Sequence, residues 1–233
     1  MQYSSYSDVG GRANNEDSFL AVESDGISLF AVADGLGGIE AGEVASGLVV
    51  STIKQLFLET TESFDLLDAL EIANEKILDR QEIDNKQMKT TIAVVQIKDN
   101  VVSCAHVGDS RIYLFGDSGI VYQSVDHSVS QMAVYAGEIT TPEIRRHIDR
   151  NKLTRALGVD SSLKIDYQEF ERKGIKAVLL CSDGFWEYVY EEEMTALLTE
   201  SRSPFDWIEE MRKLLDLRIN GKNDNNTAVA VFF

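Results

Sequence analysis

The chain has 233 residues, with 39 acidic and 22 basic side chains and a net charge of −17 at pH 7. A surface this acidic repels a phosphate backbone, so nucleic acid is excluded as an expected partner. The sequence contains only two prolines and no linker-like or repeated stretch, which predicts a single domain over residues 1–233.

The cysteine and N-terminal patterns indicate where the protein works. Cys104 and Cys181 lie within the apolar runs VVSCAHV and VLLCSD, which predicts buried free thiols in a reducing compartment. The first residues, MQYSSYSD, lack the basic and apolar segments of a signal peptide. Apolar runs also stay below the ~18 residues of a membrane helix. We therefore expect a cytoplasmic monomer with no membrane partner.

The apolar patterns predict strands in hairpins and helices in pairs. Taken in chain order, the predicted elements are strands at 18–23 and 27–33, helices at 40–59 and from Leu66 onward, strands at 90–98, 101–107, 111–115 and 120–123, a surface excursion with some helix at 127–152, strands at 167–170 and 177–181, two helices, and a last strand at 227–233. This order is typical of antiparallel sheets covered by helices.

Aspartates occur at or beside the ends of four apolar runs. Asp34 follows FAVA, Asp183 follows VLLCS, Asp224 precedes the last strand, and Asp109 lies between two strands. If these ends meet, the carboxylates need a cation between them, because like charges at close range do not all ionise. Oxygen ligands suit Mg²⁺ or Mn²⁺ rather than zinc. Gly35 would let the backbone approach such an ion and offer a carbonyl.

Each of these features also has an ordinary interpretation. A single Asp-Gly pair after a strand is usually a turn, as we expect for Asp25-Gly26. Arg12, in GGRANNED, is either a surface arginine or a guanidinium that grips a phosphate. An acidic composition usually reflects a solvated surface alone. Only the joint pattern favours a functional site.

Eight segments carry a more specific signal, because they occur in the order of a known family. They are RANNEDS, VADGLGGIEAGEVAS, TTIAVV, AHVGDSRIYL, DHS, LTRALG, CSDGFWEYV and NDNNTAVAV. In this respect the chain resembles the metal-dependent type 2C protein Ser/Thr phosphatases, the PPM family, in their compact bacterial form. The resemblance implies an α+β fold: a four-layer α/β/β/α sandwich of two antiparallel sheets flanked by helix pairs, with a dinuclear metal site at one edge.

The resemblance also implies which residues hold the metal ions. Asp34 would bridge two tightly bound Mn²⁺ or Mg²⁺ ions, and the carbonyl of Gly35 would bind one of them. Asp183 and Asp224 would complete the other ion's shell. Asp109, together with Asp183, would bind a third and weaker ion.

The remaining implied roles surround that centre. Glu16 and Asp17 would hold metal-bound waters, and Arg12 would clamp the substrate phosphate. Residues from about 128 to 152 would form a flap that influences substrate choice. Arg12, Asp34 and Asp183 are thus the implied catalytic residues.

The implied activity is hydrolysis of phosphoserine and phosphothreonine in proteins, by attack of a hydroxide that bridges the two metal ions. The natural partners would be phosphoproteins in signal transduction, with a cognate Ser/Thr kinase. Neither cysteine lies in the Gly-rich anion cradle that a phosphocysteine route requires. Two alternatives stay open: a catalytically weak or inactive regulatory binding module on the same fold, and a hydrolase of small phosphate esters.

Ile39 departs from the family pattern. Bacterial relatives usually have a histidine at this place, and that histidine is the implied proton donor to the leaving alkoxide. The other histidines lie in different segments, His106 and His127 in family motifs and His147 in the flap. We interpret His106, on a predicted strand, as a structural residue rather than a substitute acid.

Overall fold

Two antiparallel sheets form the centre of the computed structural model, which describes residues 1–36 and 41–233. The strands are β1 (Gln2–Asp8), β2 (Asp17–Ser24), β3 (Ile27–Leu36), β4 (Lys89–Thr90), β5 (Ile92–Lys98), β6 (Val101–Val107), β7 (Arg111–Gly116), β8 (Gly119–Gln123), β9 (Asp166–Glu171), β10 (Ala177–Cys181) and β11 (Asn226–Phe232). One sheet has the order β1-β11-β10-β7-β8. The other has the order β2-β3-β5-β6-β9, and β4 pairs with β3.

Helices cover the outer faces of both sheets. They are α1 (Gly42–Glu59), α2 (Leu66–Asp84), α3 (Val129–Tyr135), α4 (Asp183–Trp186), α5 (Glu191–Glu200) and α6 (Pro204–Arg218), with 3₁₀ turns at Thr61–Ser63 and Thr141–Arg146. The α1–α2 pair shares an apolar core with the β2–β3 sheet, and α5–α6 shares another with the β10–β11 sheet. A third apolar core fills the space between the sheets. The predicted four-layer α/β/β/α fold is confirmed.

The central strand β3 shows how the sequence specifies these layers. Side chains alternate between the two faces of a strand. Phe30 and Val32 accordingly pack between the sheets, whereas Leu29, Ala31 and Ala33 pack against the helices. Because both faces are buried, β3 is an unbroken apolar run rather than an alternating one. Burial of each large apolar side chain contributes about 1.5–3 kcal/mol.

Several elements differ from the prediction, among them the short helix α4, which is additional to the two helices expected after residue 181. Strand β1 was not predicted, because it is a sheet edge whose Ser and Tyr side chains are exposed or half-buried and give no apolar pattern. Helix α1 begins at Gly42 rather than at residue 40, since Ala41 has a φ of 112° that no helix accepts. The strand predicted at 90–98 is interrupted at Thr91, whose backbone N–H donates to the carbonyl of Asp34.

The predicted flap, residues 128–152, leaves and rejoins the sandwich at one point. Ser128 and Leu153 form an isolated antiparallel bridge, and the N–H of Val129 donates to the carbonyl of Lys152 at 2.8 Å. Helix α3 and the second 3₁₀ turn lie inside this excursion. Its base is therefore fixed by backbone hydrogen bonds. Across the described ranges, every helix is too short or too polar to cross a membrane.

Candidate metal centre

One cavity of about 330 Å³ lies at the edge of the sandwich where ends of both sheets meet. Every residue predicted for the site lines this cavity except Asp17, which lies next to it. The described lining residues are Arg12, Ala13, Asn14, Glu16, Asp34, Gly35, Leu36, Asp109, Asn151, Leu153, Asp183, Asp224 and Asn225. The structure thus brings together residues from distant segments of the chain.

Asp34 is held through its backbone. Its N–H donates to Oγ1 of Thr91 at 3.0 Å, and its carbonyl accepts from Oγ1 of Thr90 at 2.8 Å. Thr91 Oγ1 also lies 2.7 Å from the hydroxyl of Ser110, beside Asp109. Thr90 and Thr91 of TTIAVV therefore fix the backbone of Asp34, and the predicted strand is interrupted at this point.

Asp17 is paired with Asp34 in the register of β2 and β3 and is tied to the segment before Asp183. Ser182 donates its hydroxyl to Oδ2 of Asp17 at 2.7 Å and accepts the N–H of Thr227 at 3.0 Å. Since its oxygen accepts from the backbone, the hydroxyl hydrogen is free to be given to the carboxylate. Sequence reasoning missed this role of Ser182, although its position in CSDG directly before Asp183 was a usable signal.

Arg12 contacts a predicted metal ligand instead of pointing into solvent. Its Nη2 atom lies 2.6 Å from Oδ2 of Asp224, and the two side chains are 54% and 32% exposed. The guanidinium therefore supplies a positive charge beside Asp224 at the mouth of the cavity. A divalent cation would stand in the same electrostatic relation to that carboxylate.

Asn225 is a second residue that sequence reasoning missed. Its side-chain amide donates to the carbonyls of Val9 and Asn14 at 2.8 and 2.9 Å. Its oxygen accepts the N–H of Glu16 at 2.8 Å. Asn225 therefore holds the segment that carries Arg12 and Glu16 against the last strand. The run NDNN hinted at such local hydrogen bonding, because short amides bind backbone groups.

Two glycines at the cavity are required by close backbone packing. A Cβ atom at Gly35 would lie 2.2 Å from the carbonyl oxygen of Gly42, and one at Gly184 would lie 2.1 Å from that of Asn225. Both separations are far below van der Waals contact. The sequence predicts that Gly35 lets the backbone approach a metal ion. The structure gives a second reason for this glycine that does not depend on a metal: helix α1 starts directly against β3.

Asp109 lies in the turn between β6 and β7 and is anchored by buried groups. The indole N–H of Trp186 donates to its carbonyl at 2.9 Å. The guanidinium carbon of Arg111 lies 3.5 Å from the centroid of a Trp186 ring, and Arg111 binds both oxygens of Asp126 at 2.8 and 2.7 Å. A buried bidentate ion pair therefore supports the tryptophan that fixes Asp109.

The electrostatics of the site favour a bound cation. Burial, followed by the charges of neighbouring carboxylates, raises the pKa of Asp34 and of Asp183 well above their ordinary values. Burial likewise raises the pKa of Asp109 to about 8 and that of Asp17 to about 6. The buried Oδ1 atoms of Asp17 and Asp183 accept no hydrogen bond from the residues the structure describes. Unsatisfied carboxylate oxygens of this kind fit Mg²⁺ or Mn²⁺.

Outside the cavity, another group of side chains brings potential metal-ligand atoms close to one another. Within residues 1–36 and 41–233, the one trio of potential ligands within 4.8 Å of one another is His106, His127 and Asp166, which lies outside the cavity. The N–H of Gly108 donates to Nδ1 of His127, and burial lowers the pKa of His127 to about 4. Neutral His127 then carries its proton on Nε2, 3.3 Å from Asp166, where a metal would need a lone pair.

His127 is therefore held by hydrogen bonds to Gly108 and Asp166, whereas His106 contacts His127 by ring stacking. The cavity aspartates do not form such a trio, as expected for like charges, which repel one another. In a centre with two metal ions, the ligand oxygens also lie farther apart than in a site for a single ion.

The structure describes no candidate for the proton donor expected in this loop. Ile39 lies outside the described residues, so the prediction about it is not addressed by the geometry. Among the residues that are described, no histidine lines the cavity. His106 is buried, with Nε2 2.9 Å from the carbonyl of Val125 and its ring stacked on His127. These contacts agree with a structural role for His106.

Comparison with known proteins connects this geometry to an enzyme family. A family model described as protein phosphatase 2C matches residues 6–219. The serine/threonine protein phosphatase PstP of Mycobacterium tuberculosis is 35% identical over 99% of this chain, and the match covers 44% of PstP. The serine/threonine phosphatase stp of Listeria welshimeri is 34% identical over 82% of this chain and 80% of its own length.

A solved structure extends the match to three dimensions. The crystal structure of the catalytic domain of PstP in complex with two manganese ions matches with a TM-score of 0.81 at 31% identity. The match covers 98% of this chain and 96% of that one. Sequence and architecture therefore agree over almost the whole length.

Proposed function

The chain belongs to the protein phosphatase 2C family, and we propose that it is a metal-dependent phosphatase that hydrolyses phosphoserine and phosphothreonine in proteins. The observation that carries this proposal is the cavity in which Asp34, Asp183 and Asp224 face Arg12, with a buried carboxylate oxygen of Asp183 that has no hydrogen-bond partner among the described residues. The alternative, a regulatory module without turnover, has less support, because the residues expected to hold ions and phosphate are all present.

The carboxylates of the cavity are assigned to different metal ions. Asp34 would bind both of two tightly held Mn²⁺ or Mg²⁺ ions, the carbonyl of Gly35 would bind one of them, and Asp183 and Asp224 would bind the other. Asp109 is assigned to a third and weaker ion. Glu16 and Asp17 hold water molecules of the centre, a role supported for Asp17 by its free Oδ1 atom and its bond to Ser182.

When bound, the divalent ions supply a water molecule of lowered pKa and offset the charge of the phosphate. The protein supplies position and selectivity. Thr90 and Thr91 fix the backbone of Asp34, and Ser182 orients Asp17. Arg12, released in part from Asp224, binds phosphate oxygens and offsets charge that develops on them.

The composition of the cavity lining leads us to expect that substrate binding needs a metal ion. Its described charged residues are five carboxylates, Glu16, Asp34, Asp109, Asp183 and Asp224, against the single cation Arg12. Such a lining repels a phosphate dianion until cations compensate it. The metal-free protein is therefore a poor phosphate binder as well as a poor catalyst.

The wider setting is also part of the proposal. Residues 1–233 act as one catalytic domain, with residues 128–152 as a flap beside the site. Two buried free thiols, Cys104 and Cys181, support work in the cytoplasm. The substrates are phosphoproteins, modified by a cognate Ser/Thr kinase, and the enzyme acts as a monomer.

The decisive test is turnover with and without metal. Nitrophenyl phosphate hydrolysis that requires Mn²⁺ and stops in EDTA, together with release of phosphate from phosphoserine or phosphothreonine peptides, is the expected result. Hydrolysis of small esters but of no phosphopeptide in a broad panel would identify a small-ester hydrolase. Binding of Mn²⁺ without turnover of any substrate would identify the regulatory module.

Arg12→Ala is expected to raise the KM for a phosphothreonine peptide by about tenfold or more, because it removes a charge-assisted contact to the phosphate. The kcat should change less, since a phosphate clamp acts before the transition state as well as in it. Arg80→Ala is a matched control: Arg80 is similarly exposed, at 51%, and similarly paired, 2.6 Å from Asp84, but lies on α2. A wild-type KM for Arg12→Ala would exclude the clamp.

Asp109→Ala is expected to keep two tightly bound Mn²⁺ ions but to lower kcat by about tenfold or more, since a metal ion that stabilises charge contributes several kcal/mol. Titration calorimetry counts the ions, and steady-state kinetics gives kcat. The backbone bond from Trp186 to Asp109 does not depend on the side chain that is removed. Asp117→Ala, in an exposed turn, is the control. Full activity in Asp109→Ala would remove Asp109 from the catalytic residues.

A further inference from the structure

We propose that Arg145 is a positioning residue that sets the flap against the metal centre, so that it governs activity on phosphoproteins but not on small phosphate esters. The inference rests on the proposed function and deepens it, because it names the contact through which the flap would act on substrate choice. The evidence is a set of contacts that converge on one short segment of the chain.

Arg145 crosses from the flap to the segment 186–191. Its Nε atom donates to the carbonyl of Trp186 at 3.0 Å, and its Nη2 atom donates to the carbonyl of Val189 at 3.3 Å. Nη2 also lies 2.9 Å from each carboxylate oxygen of Glu191. The side chain is only 9% exposed. Because the guanidinium is planar and its N–H groups point in fixed directions, these hydrogen bonds set the orientation of the flap as well as its distance from the segment.

The segment that Arg145 contacts adjoins two predicted metal ligands, Asp183 and Asp109. It follows directly from Asp183, the first residue of α4, and Trp186 donates to the carbonyl of Asp109. Arg111 contacts the same two partners as Arg145, because it stacks on Trp186 and lies 3.3 Å from Glu191. The flap and two predicted metal ligands therefore share one set of supports.

Apolar packing alone does not fix the flap here. Ile144 is buried in the α5–α6 core and the partly buried Val134 and Ile139 pack against it, but apolar contacts are non-directional. Beside it, a cavity of about 590 Å³ separates part of the 3₁₀ turn from the start of α5, with Pro142, Arg146 and Tyr190 among its lining residues. Arg145 lines this cavity and spans the gap by its hydrogen bonds. A gap of this size leaves room for the flap to move when the bonds are lost.

The end of the flap reaches the metal centre, which explains the expected selectivity. Asn151 and Leu153 line the cavity with the carboxylates, and Arg150 binds Glu187 at 2.6 Å. At about 330 Å³, the cavity is large enough that we expect a phosphate with a small aryl group to fit within it. A phosphorylated protein segment continues past the cavity rim and must contact the flap. Only the larger substrate therefore depends on where the flap lies.

The test compares Arg145→Met with Arg146→Met in the Mn²⁺-loaded enzyme. Arg146 is the next residue of the same 3₁₀ turn, is exposed, and has no ion pair within the described part of the chain. For Arg145→Met we expect kcat/KM on a phosphorylated protein to fall about tenfold, mostly through KM, which corresponds to one charge-assisted contact. Nitrophenyl phosphate turnover should stay at the wild-type value. Arg146→Met should change neither substrate.

Hydrogen exchange gives a readout that is independent of turnover. Amides of residues 137–151 should exchange faster in Arg145→Met than in wild type, with or without Mn²⁺, and should be unchanged in Arg146→Met. Arg145→Lys keeps the positive charge but loses the planar set of N–H donors, so we expect exchange rates between those of wild type and Arg145→Met. If Arg145→Met lowers the melting temperature strongly, Arg145→Lys decides the question in its place.

Equal loss on both substrates, or unchanged exchange in the flap, would overturn the inference. Failure of the proposed function gives a different result, since wild type itself would then be inactive with Mn²⁺ on phosphorylated proteins. In that case the exchange experiment still tests whether Arg145 fixes the flap.

Discussion

Asp34→Ala is expected to lower turnover by roughly 10³-fold or more, because it removes the carboxylate assigned to both tight ions and with it several kcal/mol of transition-state stabilisation. It should also remove most of the rise in melting temperature that Mn²⁺ causes in wild type, since metal bound only to the folded state stabilises by mass action. Thermal unfolding with Mn²⁺ and with EDTA measures the second effect, and steady-state kinetics measures the first.

A second variant, Asp34→Asn, should change the melting temperature in opposite directions in EDTA and in saturating Mn²⁺. In EDTA, Asp34 is a buried carboxylate among others, and burial and their charges raise its pKa well above the ordinary value. A raised pKa in the folded state means that ionisation near neutral pH costs stability. Asp34→Asn removes that charge, so the metal-free variant should melt higher than metal-free wild type. With saturating Mn²⁺ the order should invert.

Asp25→Asn is a matched control, because Asp25 also precedes a glycine at the end of an apolar run. Asp25 has a φ of 48° in the exposed turn between β2 and β3, a conformation that asparagine accepts readily. Neither activity nor the Mn²⁺ response should change in this variant. If Asp34→Asn and wild type have the same melting temperature in EDTA and the same Mn²⁺ response, Asp34 is not a ligand.

The contrast between these two aspartates shows what the sequence predicts well. Apolar periodicity locates strands and helices because each layer buries one regular face, as in β3. Local sequence signals are equally informative: α6 begins with Pro204 directly after Ser203, a residue type that commonly caps helices, and the Ser203 hydroxyl accepts the N–H of Asp206 at 3.1 Å. Asp25 and Asp34 have the same local signal, and only the resemblance to a family separates them.

What the sequence does not predict are contacts between distant segments. Ser182 meets Asp17, and Asn225 meets Asn14, because the fold joins strands from opposite ends of the chain. Arg145 is one of several arginines in the flap, and its role depends on carbonyl groups that have no sequence signature. Strand β1 is unreadable for a related reason, since an exposed edge needs no apolar pattern. Roles of single polar residues therefore require the three-dimensional arrangement.

Ile39→His is expected to raise turnover on a phosphothreonine peptide by roughly tenfold to a hundredfold, at or below the 10²–10⁴-fold that a well-positioned general acid contributes. Threonine leaves as an alkoxide that needs a proton, whereas nitrophenolate is stable without one. Nitrophenyl phosphate turnover should therefore barely change. The wild-type enzyme, with isoleucine at this place, should accordingly favour aryl phosphates over alkyl phosphopeptides more than relatives with histidine do.

The pH profile identifies the cause of any gain. A histidine acid works only while protonated, so the added peptide activity should decline as pH rises through the histidine pKa, ordinarily near 6.5. Ile39→Gln supplies a polar side chain of similar length that does not titrate, and it should not reproduce the effect. Both substrates are measured across pH with saturating Mn²⁺. A change by the same factor on both substrates, or on neither, would mean that the proton reaches the leaving group by another route and that Ile39 does not limit this enzyme.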